Sequence, residues 1–554
     1  MSRRDLSRRG FLGAAGAAGV TAAGLGSAAL ANAVSPAAAA AAGAGREGSG
    51  VGLALVNGRI HTFDGTDRVV SQVLIQDGRF AKVGSIGGGG GRFEVINLRG
   101  RTVIPGLIDN HVHFVRIGQA AGYDMRRLET AFSIDEVQQV VADTAADVEP
   151  GEFLTGLRGL ARRQWSAPAR HLTRFELDEA APEHAVVISE GTNGQTNTLG
   201  RDRLRALGVT VSDAGAVNDD QAYLAMARFI TLETKKRELL RAAEYALSVG
   251  LTGFIDEHGN ILPEGTAGFL DRITGHDHIL DLWRNGQLPV RVRARFGVRD
   301  AHSGGTDAPS LIETYAANRW ELLGDAMFRQ AGIGEWAPRG DNYQYSLRTI
   351  ASRPIQYQQH LISTAEIQAH LDAVQQFADE HPDVNVGDLY WSMGHIDGLT
   401  VPQIEHSNRL GIGLIPQGWS YLTGNGAGPD FRSIVDLAEV PVGTGTDGAR
   451  VAPLNPWTMV YYMTTGRNSG GALVNDGRQV TRHEALKLYA GPQQGWFCKE
   501  PDLMGGIAEG RYADLAVLSA DVFDTRAVPD TKLRTMGSVL TVVDGVVRHD
   551  AGVL

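Results

Sequence analysis

The chain has 554 residues, 43% of them hydrophobic and 21% charged, so it can bury a sizeable core and is not disordered throughout. A formal net charge of −11 argues against a nucleic-acid partner, whose phosphates call for a basic face. Cys498 is the single cysteine, which excludes an internal disulfide or a cysteine-built zinc knuckle and leaves histidines and carboxylates to hold any metal.

Residues 1–33 read as an address. Ser7-Arg8-Arg9-Gly10-Phe11-Leu12 is a twin-arginine motif, Gly10 to Leu30 is uncharged and rich in Gly and Ala, and Ala31-Asn32-Ala33 supplies a small-x-small cleavage site. The stretch is too diluted for a spanning helix, which wants about 20 strongly apolar residues. The expectation is export by the twin-arginine machinery to the periplasm or beyond, with no stable membrane anchor. Residues 34–50 are a low-complexity leader.

Residues 51–105 carry short alternating strands, with Asn57-Gly58 and Asp77-Gly78 as predicted hairpin turns. Residues 501–554 have the same character, with Asp544-Gly545 as a turn. The two ends are therefore predicted to pair into one small β-sandwich that the middle, 106–500, interrupts. In that middle, the segment from Thr231 predicts a helix with Leu239, Leu240, Ala243 and Leu247 on one face, ending at Gly250. LTGFID follows as a buried strand. Further strands are predicted in VRVRARFG, RPIQYQQ, DLYWSMG, IGLIPQ and EVPVGTGT, most followed by helix-compatible sequence. The alternation fits an α/β fold, a (β/α)8 TIM-type barrel, whose chemistry sits at the C-terminal ends of its strands.

His111 and His113 end the apolar run Val103 to Ile108. At i and i+2 on an extended strand their imidazoles point to one side and can reach one ion. A second His-x-His, His276-Asp277-His278, has no apolar run leading in and reads as solvated loop. His360, His395 and Asp447 each close an apolar run, and in a barrel such strand ends converge on one mouth. Trp391, Trp419, Tyr421, Trp457, Tyr461 and Tyr462 follow strand ends, where they either line a pocket or pack. Cys498 reads as a buried, inert thiol.

These motifs resemble the amidohydrolase superfamily, and within it the amidohydrolase-3 group that includes N-substituted formamide deformylases. The resemblance runs over nearly the whole chain after residue 50. LVNGRIHTFDG and IQDGRFAKVG are similar to its opening sandwich strands, VIPGLIDNHVHF to its first metal strand, FELDEAAPEHAVVISEG and GLTGFIDEHG to its next blocks, and GTDGARVAPLNPW to its eighth-strand motif. HEALKLYAGPQQGWFC followed by GGIAEGRYADLAVLS resembles the closing helix and the return to the sandwich. The resemblance implies that His111, His113 and His360 are metal ligands and that His395 is a fourth nitrogen ligand or a hydrogen-bonding partner for the bound hydroxide. It implies that Asp447 is both ligand and proton shuttle, with a divalent ion, zinc ahead of iron or manganese, activating water. The implied enzyme is a metal-dependent hydrolase of non-peptide carbon–nitrogen bonds in a small-molecule amide, formamide or cyclic amide.

The chain also departs from the family. Many members bridge two metals with a carbamylated lysine, but Lys82, Lys235, Lys236, Lys487, Lys499 and Lys532 close no middle strand. Arg329 stands where that lysine would align, with Ile333 in place of the aspartate that follows. The expectation is one metal, with Glu190 or Glu257 as the nearest bridging carboxylates if there are two. Gln195 replaces a common pocket histidine, and Ser363-Thr364 a Gly-Asp. Two other readings remain: a Lewis-acid lyase, isomerase or cyclase on the same scaffold, and a non-catalytic binding protein.

Overall fold

The computed structural model describes residues 51–87, 92–157, 160–165, 170–190, 193–257, 275–297, 322–336, 342–353, 355–424, 427–448 and 452–554. The twin-arginine segment and the leader lie outside these residues. Among the described residues no helix is long and apolar enough to cross a membrane.

Seven parallel strands form a nearly closed barrel: Leu107–Val112, Leu251–Asp256, Arg291–Gly297, Phe328–Trp336, Tyr357–Leu361, Ser392–His395 and Gly413–Pro416. The eighth position is an irregular segment around 440–447. It bonds to the seventh strand through Leu414 N–H to Pro441 O and Gly443 N–H to Leu414 O. On its other side Asn110 N–H donates to Thr444 O and Asp447 N–H to His111 O. Helices cover the outside. The one over Leu232–Ser248 is capped by the Thr231 side chain and buries Leu239, Ala243 and Leu247. Gly250, at φ 88°, stops it, a backbone conformation that a glycine adopts without strain, and the second strand begins one residue later.

Both chain ends contribute to mixed sheets beside the barrel. A six-stranded sheet pairs Thr102–Pro105 from the N-terminal region with Leu515–Leu518 from the C-terminal region, with Val103 opposite Val517. A four-stranded sheet faces it across a core that includes Leu55, Ile75, Phe80, Leu515 and Val542. Asp77-Gly78 and Asp544-Gly545 are tight hairpin turns with positive φ at both residues, the geometry that matches strand twist. Asn57-Gly58 is not a hairpin. Val51–Val56 lies in the four-stranded sheet and Arg59–His61 in the six-stranded one, so the chain crosses between sheets there. Arg291, fully buried at the start of the third barrel strand, docks these sheets by bonding Asp514 at 2.6 Å and Asp544 at 3.0 Å.

Two elements were not predicted. Phe328–Trp336 is the fourth barrel strand, and a five-stranded sheet built from Tyr123–Asp124, Phe153–Leu157, Ala185–Glu190, Asn193–Thr196 and Ala216–Asn218 stands between the first and second barrel strands. His276-Asp277-His278 is not solvated either. His278 is fully buried with Nε2 2.9 Å from Val115 O, at the start of the helix Asp277–Arg284.

Candidate metal centre

Because the barrel strands are parallel, side chains at their C-terminal ends share one mouth. The structure brings His111 from the first strand and His113 from just past its end, Glu335 from the fourth, His360 from the fifth, His395 from the sixth and Asp447 from the eighth position to that mouth. Two overlapping groups result, His111/His113/Glu335/Asp447 and Glu335/His360/His395, each with its ligand atoms within 4.8 Å of one another. Asp447 Oδ1 lies 3.6 Å from His111 Nε2 and 3.2 Å from His113 Nε2. Glu335 Oε1 is 3.5 Å from His111 Nε2, 3.0 Å from His360 Nδ1 and 3.7 Å from His395 Nε2, while Oε2 is 3.5 Å from His113 Nε2. Most of these separations are too long for hydrogen bonds, so the donors surround a space rather than bond one another.

The surrounding residues prepare His111 as a ligand. Its Nδ1 donates to Gln358 Oε1, an assignment fixed by the other end of the amide, whose Nε2 donates to Asn110 O. The proton therefore sits on Nδ1 and leaves the Nε2 lone pair for the cluster. Gly394 leaves room for this pair, because a Cβ there would lie 2.4 Å from Gln358 Oε1 and 3.1 Å from His111 Nδ1. Asp109, fully buried, accepts from the backbone of His111 and from both N–H and Oγ1 of Thr446. It thus ties the strand of His111 to the segment of Asp447.

Electrostatics favour a cation. Burial opposes charge on His111, yet the Asp447 and Glu335 carboxylates outweigh it and raise its pKa. Burial likewise works against Glu335, but His113, His111 and His360 hold its carboxyl well below the usual range. Asp447 is lowered against burial by the neighbouring imidazoles of His111 and His113. Burial, reinforced by neighbouring His360, pushes His395 down to about 4 and keeps it neutral, with one ring nitrogen's lone pair to give. The buried atoms His111 Nε2, His395 Nε2 and Asp447 Oδ1 have no hydrogen-bond partner. Native interiors rarely leave such atoms unmatched, and a nitrogen-rich, carboxylate-containing donor set of this kind fits a divalent ion.

Backbone strain concentrates at the same place. Glu335, His395 and Asp447 have φ of 43°, 68° and 55°, left-handed values that a non-glycine residue adopts at a cost of about 1 kcal/mol or more each.

An amidohydrolase-family model matches residues 94–549. The chain belongs to the amidohydrolase family. It is 22% identical over 550 residues to the N-substituted formamide deformylase of Arthrobacter pascens, covering 90% of this chain and 98% of that protein. It is also 22% identical over 517 residues to the putative amidohydrolase YtcJ of Bacillus subtilis (strain 168), covering 82% and 90%. Among solved structures, an uncharacterized metal-dependent hydrolase from Pyrococcus horikoshii OT3 superposes with a TM-score of 0.56 at 18% identity, covering 85% of this chain and 98% of that one. Atrazine chlorohydrolase TrzN from Arthrobacter aurescens TC1, complexed with zinc, gives 0.52 at 15% identity, covering 90% and 95%. At such identities the structural likeness speaks for the fold.

Within this amidohydrolase, several expected features fall elsewhere. Neither Glu190 nor Glu257 belongs to the cluster. Glu190 lies on the inserted sheet, 3.4 Å from Arg162 and 3.6 Å from His171. Glu257 is fully buried in an ion pair with Arg295. Glu335 is the carboxylate shared by the two groups, six residues past Arg329, whose own guanidinium pairs with Glu500 at 2.9 Å. Gln195 sits on the inserted sheet and donates to Ala214 O at 2.7 Å. Ser363 caps the helix Thr364–Glu380. Trp391, Trp457, Tyr421, Tyr461 and Tyr462 are buried packing residues, whereas Trp419, 37% exposed, stands 6.1 Å from the His395 ring. Burial pushes the Cys498 thiol up to about 12, consistent with an inert side chain.

Proposed function

We propose that this amidohydrolase hydrolyses a carbon–nitrogen bond, in an amide, formamide or cyclic amide, of a small molecule. The observation that carries this reading is the cluster of histidines, Glu335 and Asp447 at the barrel mouth, in a chain aligned over nearly its whole length with a formamide deformylase. His111, His113, Glu335 and Asp447 would hold a divalent ion, with zinc favoured by the nitrogen-rich set, and such an ion would supply Lewis-acid polarisation of the substrate oxygen and acidify a water. Asp447, with Oδ1 unmatched, accepts the proton of the attacking water and returns it to the leaving nitrogen. His395 stays neutral beside it as a ligand or hydrogen-bond partner, and the exposed Trp419 offers an apolar wall to the substrate.

Incubating purified protein with a panel of amides and formamides in heavy-oxygen water tests the reaction. Amine release with label in the carboxylate product supports hydrolysis. Unlabelled products transfer the reading to elimination or isomerisation.

Two finer points belong to the same proposal. The expectation of a single ion rested on the lack of a bridging group, and Glu335 removes that ground. We therefore expect up to two zinc ions per chain by elemental analysis, and one or none in Glu335→Gln. Export by the twin-arginine route rests on Arg8-Arg9 and on Ala31-Asn32-Ala33. Replacing both arginines by lysine is expected to leave precursor in the cytoplasm, and normal export of that variant refutes the route.

A further inference from the structure

Glu335 reaches the mouth through an irregularity in its strand. Against the fifth strand, Ile333 pairs with Tyr357 but Trp336 pairs with Gln359, so three steps on one side match two on the other. This is a β-bulge, a device that re-aims a side chain at the cost of an unpaired backbone group. The backbone of Glu335 is left-handed and its N–H, lost to the ladder, donates to Glu257 Oε2 at 3.2 Å. Gly334 makes the approach possible, since a Cβ there would meet that same oxygen at 2.3 Å.

Glu257 is in turn held from behind. Its Oε1 accepts from Arg295 at 2.7 Å, both side chains are 0% exposed, and Arg295 also donates to Phe497 O at 2.6 Å. The backbone N–H of Glu257 donates to Val112 O between His111 and His113. Through its backbone N–H and its carboxylate together, this one buried residue at the end of the second strand therefore ties the first, third and fourth strands to it beside the cluster. An ion pair excluded from water is a weak source of stability, and its removal in favour of apolar side chains is often neutral.

We propose that Glu257, fixed by Arg295, is a positioning residue that holds the Glu335 bulge and so aims the shared carboxylate at the metal centre. The proposal rests on the reading of the mouth as a metal centre, and its test separates the two. In Glu257→Gln the amide oxygen stays on the Arg295 cation, which turns the amide N–H toward the N–H of Glu335, donor against donor. Glu257→Met with Arg295→Met removes both charges together, so that no buried charge is orphaned and the fold is kept.

Hydrogen exchange at the Glu335 amide is measured on metal-free protein, with circular dichroism confirming the fold. Exchange is expected to quicken tenfold or more in both variants. Zinc affinity, read by chelator competition, is expected to fall about 10–100-fold in Glu257→Gln, the usual effect of losing support behind a ligand. The double variant Glu257→Gln/Glu335→Gln is expected to bind zinc no worse than Glu335→Gln alone. Unchanged exchange in both folded variants, or additive losses in the double variant, overturns the role of Glu257. If the wild type binds no zinc, the metal-centre reading falls, and the exchange measurement still decides whether Glu257 holds the bulge.

Discussion

Asp447 and His111 face the same space but differ in what they can do there. A carboxylate is both a donor to a cation and a base, whereas an imidazole whose Nδ1 proton is tied to Gln358 has only its Nε2 position to give to a cation. Asp447→Asn keeps the size and one oxygen, so we expect it to retain most of its metal while turnover falls about a hundredfold or more, the size of a general-base contribution. His111→Ala is expected to lose metal and turnover together. Elemental analysis beside the rate assay checks both, and near-normal turnover in Asp447→Asn removes the proton-shuttle role. The histidines and Asp447 could be picked out in the sequence because each closes an apolar run, a pattern that by itself marks the end of a strand. Glu335 carries no such mark. It follows two glycines in GIGEW, and its placement comes from a left-handed backbone that no periodicity reports. Gln358 and Asp109 were equally silent, since a polar residue inside an apolar run reads as a strand interior until its partner is seen.

Regular elements were legible where they keep their period, and the two missed ones break it. The helix Leu232–Ser248 and the strand Leu251–Asp256 follow their apolar spacing from cap to terminator. Phe328–Trp336 instead contains two register shifts, one against each neighbour, with Gly332 at φ 97° and Glu335 at 43°. Alternation is lost and the segment does not read as a strand. The inserted sheet was missed for another reason: its strands are short, and adjacency in the chain does not reveal that they pair with one another and not with the barrel. A buried carboxylate is one of the groups that fasten that insert. Glu129 accepts from the backbone N–H of Leu454 at 2.9 Å and of Asn455 at 3.0 Å, and from Arg126 at 2.8 Å. The bonded segment lies just beyond Asp447 and leads into the helix Pro456–Thr465. Glu129→Ala leaves those donors unmatched in the interior, so a loss of about 3 kcal/mol is expected in urea unfolding, with roughly half that in Glu129→Gln. An unchanged midpoint in the alanine variant shows that the insert is held by other contacts.

The architecture joins distant parts of the chain, because strands from both ends share one sheet and the barrel mouth collects residues from 111 to 447. That arrangement was readable as a β-rich character at both ends around an alternating middle, yet the charged interior that locks it was not. Arg291, Arg293 and Arg295 stand at alternate positions on one buried strand, paired with Asp514 and Asp544, Glu500, and Glu257. Sequence patterning would assign such a stretch an exposed face. A molecule whose interior carries this many polar groups is also sensitive to acid at sites away from the mouth, and His370 is a clear case. It is 2% exposed in the helix Thr364–Glu380, its Nδ1 bonded to the Tyr343 hydroxyl and its ring 6.2 Å from Tyr357. Burial lowers its pKa from the ordinary 6.5 to about 3. Its folded pKa is thus depressed, so its contribution to stability is complete above pH 6.5 and is lost as the pH falls from there toward 3. At pH 4.5, two units below the unfolded value, the loss is at most about 2–3 kcal/mol. Thermal melts of wild type and His370→Gln at pH 7.5 and 4.5 measure it. Glutamine keeps an acceptor for Tyr343 but takes up no proton, so its melting temperature is expected to drop less on acidification. Equal drops in the two proteins place the acid sensitivity in other groups, such as His276, whose pKa burial also lowers to about 4.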